Sequence, residues 1–99
     1  MVPRFQEITL PLLRLAADGH VHTLAQIRPQ LAKVFGLTDA EQTEQLPSGR
    51  QTRFANRVAW AKVYLEKARI LDSPGRGQFR ITERGRQVLM EPPQQIDIE

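Results

Sequence analysis

Hydrophobic residues recur at helical spacing in the first part of the chain, from about Arg4 to Asp18. They form one apolar stripe, made by Phe5, Ile8, Leu12, Leu15 and Ala16. Pro11 lies inside this segment and has no backbone donor, so we expect either a kink or a helix that begins near Thr9. Asp18-Gly19 is a typical helix end, because glycine adopts the left-handed conformation at little cost.

A second amphipathic segment starts at Thr23, which pairs with Gln26 three residues later in the pattern of a capping box. The positions expected to be buried are Leu24, Ile27, Leu31, Val34 and Phe35. Pro29 should distort the first turns of this helix. Gly36 is expected to end it.

A short polar helix is predicted next. Thr38 and Glu41 repeat the capping-box pattern, and the helix should extend to about Gln45. The segment Leu46-Pro47-Ser48-Gly49 then interrupts the regular structure.

The third long helix has the clearest pattern and runs from about Thr52 to Ala68. A narrow apolar seam steps by four, three, four and three residues through Phe54, Val58, Ala61, Leu65 and Ala68. The opposite face carries Asn56, Ala59, Val63, Glu66 and Lys67. The two flanks carry Arg57, Trp60 and Tyr64 on one side and Lys62 on the other.

Turn-forming residues follow this helix. Pro74-Gly75-Arg76-Gly77 predicts a tight turn, and the alternation in Gln78-Phe79-Arg80-Ile81 predicts a half-buried strand. Together they indicate a β-hairpin with Arg76 at its tip. Thr82 is expected to cap a last helix from Glu83 to Met90, with its inward side formed by Val88 and Leu89.

The predicted order is helix, helix, short helix, long helix, hairpin, helix. This order is typical of a winged helix-turn-helix, a mostly α fold with a small β-hairpin. Its long helix would enter the DNA major groove and its hairpin would be the wing. We expect this domain to span residues 1–90 and an acidic, proline-containing linker or tail to span residues 91–99.

Charge is distributed unevenly over the 99 residues. Residues 1–47 carry a net charge of −1, residues 48–90 carry +7, and residues 91–99 carry −3. A strongly positive half of a small domain points to a polyanionic partner such as nucleic acid. The alternative is an arginine-rich surface that is simply solvated.

The composition removes several classes of chemistry. No cysteine is present, which excludes disulfides, thiolate zinc sites and cysteine nucleophiles. The histidines, His20 and His22, fall in an expected turn without a third ligand, so we assign them a turn or cap role and expect no metal, no cofactor and no catalysis. Apolar runs are too short to cross a membrane, and we expect a cytoplasmic protein.

Several motifs coincide between residues 48 and 89. They are Ser48-Gly49, Asn56-Arg57, Trp60-Ala61, Tyr64-Leu65, Ser73-Pro74, Arg76-Gly77 and Ile81-Thr82-Glu83-Arg84-Gly85. In this combination the segment resembles the N-terminal domain of the Mrr family of restriction proteins. The preceding GLTDAEQTEQLPSG is also similar to that family's segment between its helices.

The resemblance implies a winged-helix domain that binds double-stranded DNA, methylated or unmethylated. In the family it precedes a C-terminal nuclease domain of the PD-(D/E)xK type, in proteins that cut foreign or methylated DNA. No second domain fits within 99 residues. We therefore expect a fragment, or a free-standing homologue, of the targeting half. The alternatives are a protein-interaction winged helix and a transcriptional regulator.

The DNA face is predicted to lie around the third long helix and the wing. Its helix residues are Gln51, Thr52, Arg53, Asn56 and Lys67, with Lys62 at the edge. Its wing residues are Arg76, which suits a narrow minor groove, and Gln78 and Arg80, which would reach phosphates. Ser48-Gly49-Arg50 is either a phosphate-binding turn or a simple loop.

Four of the neighbouring side chains have competing interpretations. Asn56 could read adenine or could hold the preceding loop. Arg57 could contact DNA or form a buried ion pair with Glu44 or Asp39. Trp60 and Tyr64 are expected to pack as core against the first helix, although a pair of this kind can also stack on an exposed base.

Overall fold

The computed structural model describes residues 2–90 and confirms the predicted order of helices and the hairpin. It adds one short strand before the second helix. The predicted tail at 91–99 lies outside the described residues. The elements are α1 (Phe5–Leu15), β1 (His22–Thr23), α2 (Leu24–Val34), α3 (Asp39–Thr43), α4 (Arg53–Lys67), β2 (Leu71–Asp72), β3 (Gln78–Ile81) and α5 (Glu83–Met90).

Helix α1 is the central element of the core and packs mainly against α4. Its buried side is wider than the predicted stripe, because Leu10 and Leu13 are buried beside Ile8 and Leu12. Pro11 lies inside the helix, which begins at Phe5, so the alternative start near Thr9 is wrong. The helix is also shorter than predicted, since it ends at Leu15.

Helix α2 begins as predicted, with both hydrogen bonds of the Thr23–Gln26 capping box present. Pro29 is accommodated within its span. The predicted burial of Val34 is wrong, because its side chain is 57 % exposed at the last residue of the helix. Gly36 reverses the chain there with a φ of 61°, and Leu37 packs on the core instead.

The sheet has the strand order β1-β3-β2, and both pairings are antiparallel. The hairpin pairing of β2 with β3 confirms the predicted wing. Strand β1 corrects the expectation of a plain turn around His22, because His22 pairs with Phe79 of β3. The N–H of Leu24 also donates to Gly77 O at 3.2 Å. The wing is therefore held to the start of α2.

Helix α4 has the predicted limits, and its seam residues Phe54, Val58, Ala61 and Leu65 are buried. It ends in a Schellman motif, in which Ile70 N–H donates to Leu65 O at 2.9 Å and Arg69 N–H donates to Glu66 O at 2.9 Å. Arg69 takes the left-handed position with a φ of 63°, where glycine is usual.

The junction between the hairpin and α5 explains the Thr82-Glu83-Arg84-Gly85 motif. Thr82 Oγ1 accepts from Gly85 N–H at 3.1 Å, which confirms Thr82 as the cap of α5. The same hydroxyl lies 2.7 Å from Arg69 O. Gly85 is buried, and a Cβ there would lie 2.5 Å from Ile70 O. Only glycine lets α5 approach this backbone without displacement.

Candidate nucleic-acid interface

The start of α4 is fixed by its own side chains. Thr52 Oγ1 caps the helix by accepting from Ala55 N–H at 3.1 Å. Arg53 is joined to Glu44 twice, through its backbone N–H to Glu44 O at 2.7 Å and through Nε to Glu44 Oε2 at 3.2 Å. The charge of Arg53 is thus compensated by Glu44 at the end of α3, which weakens the attraction of Arg53 for a phosphate.

The loop before α4 closes on itself. An isolated bridge joins Gln45 to Thr52, and Gly49 N–H donates to Leu46 O at 2.8 Å. Gly49 needs its glycine here, since its φ is 69°. Because this amide is already bonded, the simple-loop interpretation fits the backbone better than a phosphate-binding turn. The exposed Arg50 side chain is what this loop presents to an anion.

Gln51 and Thr52 line a shallow cleft between the starts of α4 and α2. The cleft also contains Arg28 and Pro29 of α2. Arg28 was not predicted, because it lies in the half of the sequence with net negative charge and nothing in its local pattern marks it. The packing of α2 beside α4 brings it next to two of the predicted DNA contacts.

The outward face of α4 carries Asn56, Trp60, Val63 and Lys67. Trp60 is 54 % exposed, so its predicted place in the core is wrong. Tyr64 does pack against α1, with its ring centroid 5.4 Å from that of Phe5. Phe5 covers Tyr64 but leaves the indole one turn earlier open to solvent.

These residues border a groove of about 440 Å³ between α4 and the start of α1. We call it the Trp60 groove, and its lining is Phe5, Asn56, Arg57, Trp60, Val63, Tyr64 and Lys67. It brings two predicted DNA contacts, Asn56 and Lys67, beside an exposed aromatic ring. No hydrogen bond of the Asn56 side chain occurs within residues 2–90, so nothing there supports the loop-holding interpretation.

Two basic residues of α4 are used internally. Lys62, predicted at the edge of the DNA face, is instead buried and forms an ion pair with Glu66. It does not reach the predicted face. Arg57 pairs with neither Glu44 nor Asp39. Its Nη1 donates to Pro3 O at 3.1 Å and holds the N-terminal segment against α4.

The wing presents one cation without a carboxylate partner. Arg76 is exposed at the tip, and no ion pair of its side chain occurs among residues 2–90. Arg80 is exposed too, but its Nη2 lies 3.1 Å from Asp72 Oδ2 across the hairpin. Gln78 is half-buried, with its amide close to Gly75. Ser73 Oγ donates a hydrogen bond to Gly75 O at 2.9 Å and thereby stabilises the turn.

The two histidines have structural surroundings. His22 Nε2 lies 2.8 Å from Asp18 Oδ1, and its ring stacks on Phe79 with centroids 5.8 Å apart. Hydrogen bonds from the His22 side chain and the His20 N–H hold the pKa of Asp18 below its ordinary value of 3.8. No group of three or more potential metal ligands occurs in the described part of the chain.

A long helix followed by an antiparallel hairpin, with a third strand from before the second helix, is the arrangement expected of a winged-helix protein. The chain belongs to the Mrr N-terminal domain family, whose sequence profile matches residues 5–91. This match confirms the resemblance found in the motifs. No curated protein and no solved structure matches the chain. Among residues 2–90, no helix is long and apolar enough to cross a membrane.

Proposed function

We propose that this protein is a DNA-binding targeting module of an Mrr-like restriction endonuclease. The observation that carries the proposal is the link between the wing and the start of α4. Gly77, next to Arg76, accepts from Leu24 at the start of α2, and α2 in turn borders the cleft of Gln51 and Thr52. This link puts the wing beside α2 and α2 beside the start of α4, which supports a single basic surface that includes Arg76, Arg28 and Arg50.

Each part of this surface has a distinct role in the proposal. Arg76, Arg50 and Arg28 neutralise phosphates or enter the minor groove, and so set the position of the domain on the duplex. Asn56 is the base-reading residue, because its amide can donate to and accept from the edge of adenine. Gln51, at the beginning of α4, is the second candidate for base contact. Gln78 and Arg80 are secondary phosphate contacts on the wing.

The family supplies the context of the proposal. Residues 1–90 would act as the targeting domain and residues 91–99 as a linker towards a C-terminal nuclease domain, the partner that would cut the DNA. Target DNA would be double-stranded, with methylation as one feature that the module could sense. The setting of such a role is the cytoplasm. We assign no catalytic step to the residues described.

A salt titration tests the proposal. The protein would be titrated against matched methylated and unmethylated duplexes at several salt concentrations, with fluorescence anisotropy of the labelled DNA as readout. Six phosphate contacts would give a slope of log K against log salt of about −5. Absence of binding at low salt, or an affinity independent of salt, would contradict the proposal.

A further inference from the structure

We infer that the Trp60 groove receives one unstacked nucleobase of bound DNA. This inference rests on the proposed DNA-binding function and specifies a site within it. Two predicted DNA contacts, Asn56 and Lys67, form part of the wall of the groove. A base that entered the groove would therefore still belong to the duplex held by the wing and by the start of α4.

The walls suit a flat aromatic ligand. Trp60, Phe5 and Val63 make the lining mostly apolar, and the indole is 54 % exposed although the core of α4 is complete without it. The volume of about 440 Å³ lies within the range of about 300–1,000 Å³ typical of small-ligand sites. Every base has a π-face that can stack on an aromatic side chain, whatever the sequence.

The polar groups of the groove match the rest of a nucleotide. No Asp or Glu lies among the described residues that line it, and two cations, Arg57 and Lys67, border it. The guanidinium of Arg57 uses one of its five N–H donors in the hydrogen bond to Pro3 O, so other donors are left for a ligand. Asn56 can both donate to and accept from a base edge. Positive charge beside an aromatic ring favours an aromatic ligand that carries an anionic backbone.

A fully paired duplex cannot fill this groove. Inside the stack both faces of a base are covered by its neighbours, and the major groove offers only base edges and methyl groups. Stacking on Trp60 therefore requires a base that has left the helix, at a mismatch, a bulge or a nucleotide extruded on binding. The free-energy cost of leaving the stack is smaller for a base that is already unpaired.

The test compares two labelled duplexes that differ by one base. One carries a single bulged nucleotide, and the other carries an abasic nucleotide at the same position, so the two have the same number of backbone units and differ in chemical structure only by the base. We expect the full chain to bind the bulged base more tightly by about 5- to 150-fold, the usual range for one stacked base. Trp60 is the single tryptophan of the sequence, so quenching of its fluorescence would report the contact directly.

Three variants make the test specific. Trp60→Ala should remove the preference for the bulged base, so that the two labelled duplexes bind with equal affinity. Trp60→Phe should keep part of the preference. Val34→Ala, which truncates another exposed apolar side chain, on α2, should keep all of it. Circular dichroism should show that each variant is folded.

The failures are distinguishable. If the protein binds no DNA of any form at low salt, the proposed function falls and the inference falls with it. If it binds the paired duplex but gives equal affinities for the two bulged ligands and no quenching, only the inference is overturned. A dimer in sedimentation without DNA, lost in Trp60→Ala, would assign the groove to a second copy of the chain and would also overturn it.

Discussion

Lys62 and Glu66 form an ion pair across one turn of α4, in which the Lys62 side chain is 10 % exposed and the Glu66 side chain 27 %. Helical spacing places Lys62 on a flank of α4, next to the seam formed by Val58 and Leu65. Neighbouring elements cover this flank, so a residue that the sequence assigns to the DNA face serves the packing of the domain. Truncation of either partner leaves a charge that is poorly solvated.

Lys62→Ala should lower the free energy of unfolding by about 1–3 kcal/mol, because Glu66 then lacks its partner in a largely shielded place. Urea denaturation would measure the change. Lys67→Ala is the matched control on the same helix, exposed in the structure, and should alter stability by no more than about 0.5 kcal/mol. Equal losses of stability in the two variants would contradict the assignment of Lys62 to the interior.

Arg76→Ala should weaken DNA binding and make the salt slope shallower by about one unit, because one phosphate is no longer neutralised. Arg80→Ala is the comparison on the same hairpin. Its guanidinium is already paired with Asp72, so its loss should have a smaller effect on the slope. The measurement is anisotropy at several salt concentrations. An Arg80→Ala effect larger than that of Arg76→Ala would reverse the order we derive from the ion pair.

Gly85→Ala should destabilise the protein by about 1–3 kcal/mol, despite the higher helix propensity of alanine. The added Cβ would lie 2.5 Å from Ile70 O and 2.7 Å from Ile81 Cγ1, so backbone or core must move. Thermal or urea denaturation would show the loss. Gln87→Ala, an exposed position on the same helix, is the control and should leave stability nearly unchanged. A Gly85→Ala protein as stable as wild type would contradict the close approach.

Asp18→Asn should lower stability at neutral pH and have no effect at sufficiently low pH. Its hydrogen bonds with His22 and His20 hold the pKa of Asp18 below 3.8, so folding favours the ionised form. This contribution is complete above the unfolded pKa and is lost as pH falls through the lowered folded value. Urea midpoints of both proteins between neutral and acidic pH would therefore converge. A difference that stays constant across this range would contradict the linkage.

Local sequence was sufficient for the elements whose ends carry their own signals. The capping boxes of Thr23 and Thr38 define the starts of α2 and α3, and the turn chemistry around Arg76 defines the wing. These interactions join residues a few positions apart, so the chain order reveals them. The same holds for the seam of α4.

Features that depend on contacts between distant parts of the chain could not be predicted from local sequence. Whether Trp60 is buried depends on where Phe5 sits, and Phe5 is far away in the chain. The two-residue strand at His22 exists because β3 pairs with it, and such a short segment has no periodicity of its own. Arg57 is held by a bond to Pro3 across 54 positions. Helical spacing can assign such residues to a flank of the helix. Whether the side chain is buried, hydrogen-bonded or exposed depends on which distant residues pack beside it.

The wing, which is the hairpin of β2 and β3, is held along its β3 edge by β1 and by the Leu24–Gly77 bond. These bonds restrict movement of the hairpin relative to the start of α2. The distance between Arg76 and α4 is then set largely by the fold. In the proposed complex, DNA whose major and minor grooves do not match this distance would have to twist or bend, and its stiffness would then contribute to selection.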